Sequence, residues 1–316
     1  MVQTARTLLP AVPLLFAVPA SVRAEEGGAG HYTPGSNASF VDALPGKPGL
    51  ALADFFVFYS ANANGRLPIA GLISVNLDAT VFANSLVGIY QTPLALLGGD
   101  YAFGAVVPVI WMDLTGTVEA GSGTRSAGDS SSGIGDVLLY PFMLGWTAAG
   151  GDLKYDFRFG VYAPTGKYEA GALANVGKNY WTFEPTVTVS FISSKIGLET
   201  SAYAGVDFNT KNETTDYQTG TQFHIDATVA EHLPLLAGFV GVGANAFYYQ
   251  QLSGDSGSGA TLGDFKGRTV GVGPVASYAM KLDGAHGAIE VKWLPEIDTK
   301  NRIKGDYFWI KIGAVF

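Results

Sequence analysis

Trp181-Thr-Phe-Glu-Pro-Thr-Val-Thr-Val-Ser-Phe-Ile192 sorts its side chains into two phases. One holds Trp181, Phe183, Pro185, Val187, Val189 and Phe191; the other holds Thr182, Glu184, Thr186, Thr188 and Ser190. Period two is the side-chain repeat of a β-strand, so the segment reads as a strand with one apolar and one polar face. Its length is close to the ~9–11 residues that cross a bilayer when tilted. A strand of a soluble sandwich would alternate as well. The neighbouring segments decide between the two.

Working outward, Tyr155 to Ala163 sets Tyr155, Phe157, Phe159, Val161 and Ala163 against Asp156, Arg158, Gly160 and Tyr162. Ile196 to Phe208 sets Ile196, Leu198, Ala202, Ala204, Val206 and Phe208 against Glu199, Ser201, Tyr203 and Asp207. Thr221 to Leu233 sets Phe223, Ile225, Ala227 and Val229 against Gln222, His224, Asp226 and Thr228. Gly287 to Leu294 sets Ile289, Val291 and Trp293 against Glu290 and Lys292. Apart from Glu231 near a strand end, charges in these segments avoid the apolar phase. In hydrocarbon every backbone group must be paired internally, so an all-strand protein has to close into a barrel with its apolar face outward. The expected fold is all-β: a transmembrane antiparallel up-and-down barrel of about 12 strands, with 10–14 compatible with the pattern.

The strands are expected near 49–60, 73–92, 100–119, 134–147, 153–163, 181–192, 196–209, 219–232, 236–250, 267–281, 286–296 and 305–316. Turn chemistry separates them, as at Gly98-Gly99-Asp100, Gly150-Gly151-Asp152 and Asp283-Gly284. Longer polar links are expected at Gly121–Gly133, Pro164–Tyr180, Thr210–Thr219, Gln251–Lys266 and Ile297–Lys304, with the 60–73 stretch another link. Ala79–Gly99 and Leu233–Gly254 carry no charge, but their glycines and amides suit strands better than a lipid-exposed helix. Aromatic residues (5 Trp, 15 Tyr, 19 Phe) concentrate near strand ends, as interface girdles do.

The chain ends carry two further signals. Arg6, the apolar run Leu8–Ala20 and the small-residue site at Val22-Arg23-Ala24 resemble a cleaved secretory signal over 1–24. Residues 25–48 then read as an irregular N-terminal segment, a lead-in or a small plug, before a barrel over 49–316. The last strand, Tyr307-Phe-Trp-Ile-Lys-Ile-Gly-Ala-Val-Phe316, alternates and ends on phenylalanine, like the signal read by the outer-membrane assembly machinery. That machinery and outer-membrane lipid are the expected partners, in a Gram-negative outer membrane.

Several stretches are similar to a known family: Gly133-Ile-Gly-Asp-Val-Leu-Leu-Tyr-Pro-Phe-Met-Leu-Gly-Trp146, Tyr155-Asp-Phe-Arg-Phe-Gly-Val-Tyr-Ala-Pro-Thr-Gly-Lys-Tyr168, Gly177-Lys-Asn-Tyr-Trp-Thr-Phe-Glu-Pro185, Asp207-Phe-Asn-Thr-Lys-Asn212, Tyr217-Gln-Thr-Gly220 and Gly271-Val-Gly-Pro274. From about residue 50 onward the chain resembles outer-membrane proteins of the meta-pathway of phenol degradation. The resemblance implies a barrel and a transport-like role. Phenol is not carried over with it.

The chemistry-bearing residues are few. Cysteine is absent, which excludes thiol mechanisms, and the net charge of −8 without basic runs argues against nucleic acid. None of His31, His224, His232 and His286 pairs at ligand spacing with a third donor nearby, so no metal, cofactor or catalytic residue is expected. The Ser130-Ser-Ser132 run and Gly254–Gly259 read as loop. The lumen-facing set is Asp156, Arg158, Tyr162, Glu184, Glu199, Tyr203, Asp207, His224, Asp226, Glu290, Lys292 and Lys311. It could line a pore or pair across a narrow interior. Passive uptake of small hydrophobic or aromatic molecules is the expected function. A structural or lipid-interacting barrel is the alternative, and a hydrolase using His224 and Asp226 is a second.

Overall fold

A computed structural model describes residues 26–69, 72–120, 123–235, 237–260 and 266–316; the signal expected over 1–24 lies outside the described residues. The strands are β1 (Gly49–Ile69), β2 (Leu72–Leu96), β3 (Gly99–Ala120), β4 (Gly123–Ile134), β5 (Val137–Ala148), β6 (Leu153–Ala163), β7 (Thr182–Ile192), β8 (Leu198–Asn209), β9 (Gln222–Leu235), β10 (Gly238–Gln251), β11 (Arg268–Leu282), β12 (Ala285–Lys300) and β13 (Lys304–Val315). Each pairs antiparallel with its neighbours. β4 and β5 are two halves of one stave. β3 pairs with β4 through Val109–Ala120 and with β5 through Asp100–Val106, the break falling at Gly135-Asp136. Twelve staves result, and pairing of β1 with β13 from Ala51↔Val315 to Asn62↔Lys304 closes the ring.

Burial follows the two phases. On β7, Phe183, Val187, Val189 and Phe191 are exposed, while Thr182, Glu184, Thr186 and Ser190 are buried. The polar phase therefore faces the interior and the apolar phase faces out, which is stable only where lipid replaces water. This is a transmembrane β-barrel. Near mid-strand, Asp54 departs from the pattern: it shares the outward phase of β1 with Leu52 and Phe58 and accepts a hydrogen bond from the Asn84 amide on β2.

Topology fixes the ends. Gly49 and Phe316 lie at one end, where Leu50 and Phe316 exchange backbone hydrogen bonds. The short turns after β2, β5, β7, β9 and β11 share that end, and the links 164–181, 210–221 and 301–303, with residues 252–260, lie at the other. By the periplasmic-termini convention of outer-membrane barrels, the second end is termed the extracellular end.

Three expected links are strand. Of the 60–73 stretch, residues 60–69 belong to β1 and 72–73 to β2, Gly123–Gly133 with the Ser130–Ser132 run is β4, and β12 runs on to Lys300, leaving only 301–303 of the expected Ile297–Lys304 link. These strands outrun the bilayer. Outward positions Asp78, Thr80, Asp113, Thr115 and Ser130 are exposed and polar, whereas Phe82 and Trp111 in the same phases are exposed and apolar. Backbone pairing needs no apolar face in water, so hydropathy lost the strands there. The expected aromatic belt divides: Trp111, Trp181 and Trp293 face out, but Tyr59, Tyr180, Tyr249, Tyr307 and Trp309 are buried inside.

Candidate functional site

The N-terminal segment runs through the barrel interior. Glu26, at the extracellular end, accepts hydrogen bonds from Tyr168, Asn212 and Thr215. The chain then descends past Asp226, whose carboxylate accepts from the Tyr32 hydroxyl at 2.6 Å and the backbone amides of Gly35 and Asn37 at 3.1 and 3.2 Å. Lys292 donates to the carbonyls of Gly35 and Asn37, and Trp309 to that of Pro34. Lower down, Ser39 caps a single 3-10 turn at Phe40–Asp42, the Phe40 amide donates to Glu199, and Asp42 accepts from Lys311 at 2.8 Å on both oxygens. Lys154 and Gln91 bind the backbone of residues 44–46 just before β1 begins. A Gly/Pro/Ser/Asn-rich segment cannot supply its own backbone partners, so the barrel's ionic side chains supply them.

Electrostatics in the segment follow from this burial. Burial alone would raise the Asp42 carboxyl, but Lys311 and Lys292 hold it below the usual carboxylate range. His31 has Nδ1 2.7 Å from Thr182 Oγ1 and Nε2 2.9 Å from Asp136 Oδ2, and its ring stacks on Tyr162. Burial outweighs the Asp136 carboxylate, and the imidazole is held below its ordinary value. Asp136 sits at the β4–β5 break, where it also accepts the amides of Gly166 and Lys178 and so tucks the 164–181 link inward.

Beside the segment lies a cavity of about 670 Å³. Its far wall is apolar: Phe55 and Val57 on β1, Leu77, Ala79, Val81 and Ala83 on β2, and Val106, Pro108, Ile110, Met112 and Leu114 on β3. Tyr59, Tyr140, Tyr162, Tyr168, Tyr307 and Trp309 supply ring faces, and Glu26, Asp136, Lys178 and Arg302 the charged groups. Residues of the extracellular links, among them Tyr168, Leu173 and Thr215, border it. Toward the periplasmic end Leu44 packs with Ala102, Leu138, Tyr140 and Met143 and closes the floor.

Of the twelve sequence-predicted lumen residues, eleven are buried and Tyr162 is partly exposed. Tyr162 is the member that borders the cavity. Asp226, Glu199, Lys292, Lys311 and Arg158 hold the N-terminal segment, Arg158 through the Asp42 carbonyl at 2.6 Å. Asp156 pairs with Arg158, Glu290 with Lys292, and the Arg158 guanidinium lies over the Tyr203 ring. Glu184, Asp207 and His224 form a cluster on three staves. His224 and Asp226 share a strand face but have different partners. The bare apolar wall escapes sequence reading, although the charge-free run Ala79–Gly99 is its signal: the inner face of β2 from Leu77 to Ala83 is apolar because it meets a cavity.

The fold and this interior define a transmembrane barrel with an internally threaded N-terminus and an apolar chamber. The chain belongs to the family described as "Putative MetA-pathway of phenol degradation", whose model matches residues 63–312. Among solved structures it is similar to the COG4313 outer membrane channel from Pseudomonas putida F1, at 14% identity and a TM-score of 0.61, covering 90% of this chain and 100% of that one. The β domain of the Bordetella autotransporter BrkA follows at 13% identity and a TM-score of 0.46, covering 85% of this chain and 99% of that one. No curated protein matches the chain.

Proposed function

We propose that the protein is an outer-membrane channel for passive uptake of small hydrophobic molecules, with aromatic rings the favoured shape. The apolar chamber carries this reading. Its volume falls within the ~300–1,000 Å³ of small-molecule sites, and its lining offers ring faces and few charges. A single ring of roughly 200 Å² leaving water gains about 5 kcal/mol. Most of that is offset by lost translational freedom, which leaves the weak binding that a passage site needs. Solute enters from the extracellular links. Passage onward requires the segment around Leu44 to yield, since Leu44 packs against Leu138 and Tyr140, which line the chamber. The family and the channel fold of the Pseudomonas neighbour support a transport role. Export through a signal over 1–24 and assembly through Phe316 belong to the same proposal.

The test is uptake by a porin-depleted Gram-negative host expressing the chain. A radiolabelled monocyclic aromatic is expected to enter several-fold faster than in the empty host, with arabinose unchanged. Ala83→Trp, which fills the chamber from β2, is expected to abolish the gain. Faster arabinose uptake with unchanged aromatic uptake would refute the apolar path. The threaded segment also favours a second reading, a structural barrel that passes nothing; unchanged uptake of both solutes would support it.

A further inference from the structure

We propose that Glu184, Asp207 and His224 form a buried site for one divalent transition cation of the zinc or manganese kind. Side chains from three consecutive staves meet here, β7, β8 and β9, with one ligand atom from each lying within 4.8 Å of the others. No spacing in one strand could have revealed it.

The local chemistry is unfinished without a cation. Glu184 is 1% exposed, and Asp207 and His224 are 0%. Among the described residues, both carboxylates have their ion pairs with His224 alone, its Nε2 lying 2.9 Å from Glu184 Oε1 and 3.5 Å from Asp207 Oδ1. Two carboxylates against one imidazole leave negative charge in a region of low dielectric, where an uncompensated ion is strongly disfavoured. Tyr162 is a further partner of the Glu184 carboxylate but brings no charge. Both oxygens of Asp207, Oε2 of Glu184 and both ring nitrogens of His224 have no hydrogen-bond partner. Gln222, opposite Asp207 in the β8–β9 register, is equally unpartnered at both amide atoms and fully buried. Buried polar atoms left so are rare and call for an ion or water.

Space is reserved for the cluster. A methyl group on Gly205 would sit 2.6 Å from His224 Cε1 and Nε2, and one on Gly160 would sit 3.1 Å from Glu184 Oε2. Tyr32 stacks on the imidazole at 3.9 Å between centroids, fixing its plane. Two ligands about 2.1 Å from a tetrahedral cation lie roughly 3.4 Å apart, which the 2.9 and 3.5 Å separations bracket. One nitrogen and two oxygen donors suit zinc or manganese better than copper(I) or calcium. A dication balances both carboxylates with His224 neutral. The cation would tie β7, β8 and β9 together directly behind Tyr32, so it would anchor the threaded segment too.

The test uses untagged, detergent-folded protein stripped with chelator and dialysed. Zinc or manganese chloride is then titrated calorimetrically, with bound metal counted by elemental analysis. About one equivalent is expected, with a rise in Tm. Asp207→Asn, which keeps the side-chain shape, is expected to weaken binding at least tenfold while heat-modifiable gel migration still reports a folded barrel. Wild-type protein that is folded yet takes up less than about a tenth of an equivalent would overturn the site and make the cluster one of shared protons. Equal binding by Asp207→Asn would overturn it as well.

Discussion

Replacing Asp42 with alanine removes the acceptor that the N-terminal segment offers to Lys311. Both Asp42 oxygens lie 2.8 Å from Lys311 Nζ, and the lysine is fully buried. Breaking a buried ion pair by deleting one member costs about 3–5 kcal/mol. Glu290, 3.6 Å from Lys311, already serves Lys292 at 3.2 Å and compensates in part, so the lower figure applies. A loss of about 3 kcal/mol shifts the docked-to-released ratio of the segment roughly a hundredfold. The wall's own strand pairing is untouched. Hydrogen exchange of the amides of Asn37, Phe40 and Gly46, each bonded to a barrel side chain, is expected to accelerate about that much, with strand amides unchanged. Adding Lys311→Met is expected to restore most of the protection, because an apolar replacement removes the stranded charge. Unchanged exchange in Asp42→Ala, or acceleration throughout the barrel, would refute the idea that this pair pins the segment.

Three further outcomes are expected. Val187→Arg places a charge on the lipid face of β7 and should lower unfolding free energy by about 2–4 kcal/mol in urea titrations of the refolded barrel; a change under ~0.5 kcal/mol would place Val187 away from lipid. His31 is held below its unfolded value near 6.5, so docking stability contributed by the neutral imidazole is complete above about pH 6.5 and is lost as pH falls through the folded value. Segment exchange rates, corrected for intrinsic chemistry, should therefore rise from pH 7 to 5 in the wild type and not in His31→Gln. Deleting Phe316, which is exposed and tied to β1 through its backbone amide, should cut barrel abundance in the outer membrane of expressing cells, as read by membrane fractionation.

The barrel was legible because lipid imposes a rule that every spanning strand obeys. Phe183 to Phe191 had to be apolar at alternate positions, and Glu184 had to turn inward. Where water takes over, as along Ser126 to Ser132, the rule lapses and the strand disappears from the pattern. The alternation marks which charged residues share the polar phase, but it does not encode their partners. Asp226 meets Tyr32, and Lys311 meets Asp42, across separations of 194 and 269 residues that no periodicity encodes. The Glu184–Asp207–His224 cluster was hidden for the same reason. The chamber was obscured differently: its wall of Val81, Ala83 and Ile110 carries no polar inner phase, so the two-face test had nothing to sort.

Equilibrium binding of a fluorescent bicyclic aromatic hydrocarbon to the detergent-folded barrel tests the central claim, that the chamber behind β1–β3 receives apolar solute. Saturation at one site per chain is expected for the wild type, with loss of that site in Ala83→Trp. Binding that never saturates, or that Ala83→Trp leaves intact, would contradict it.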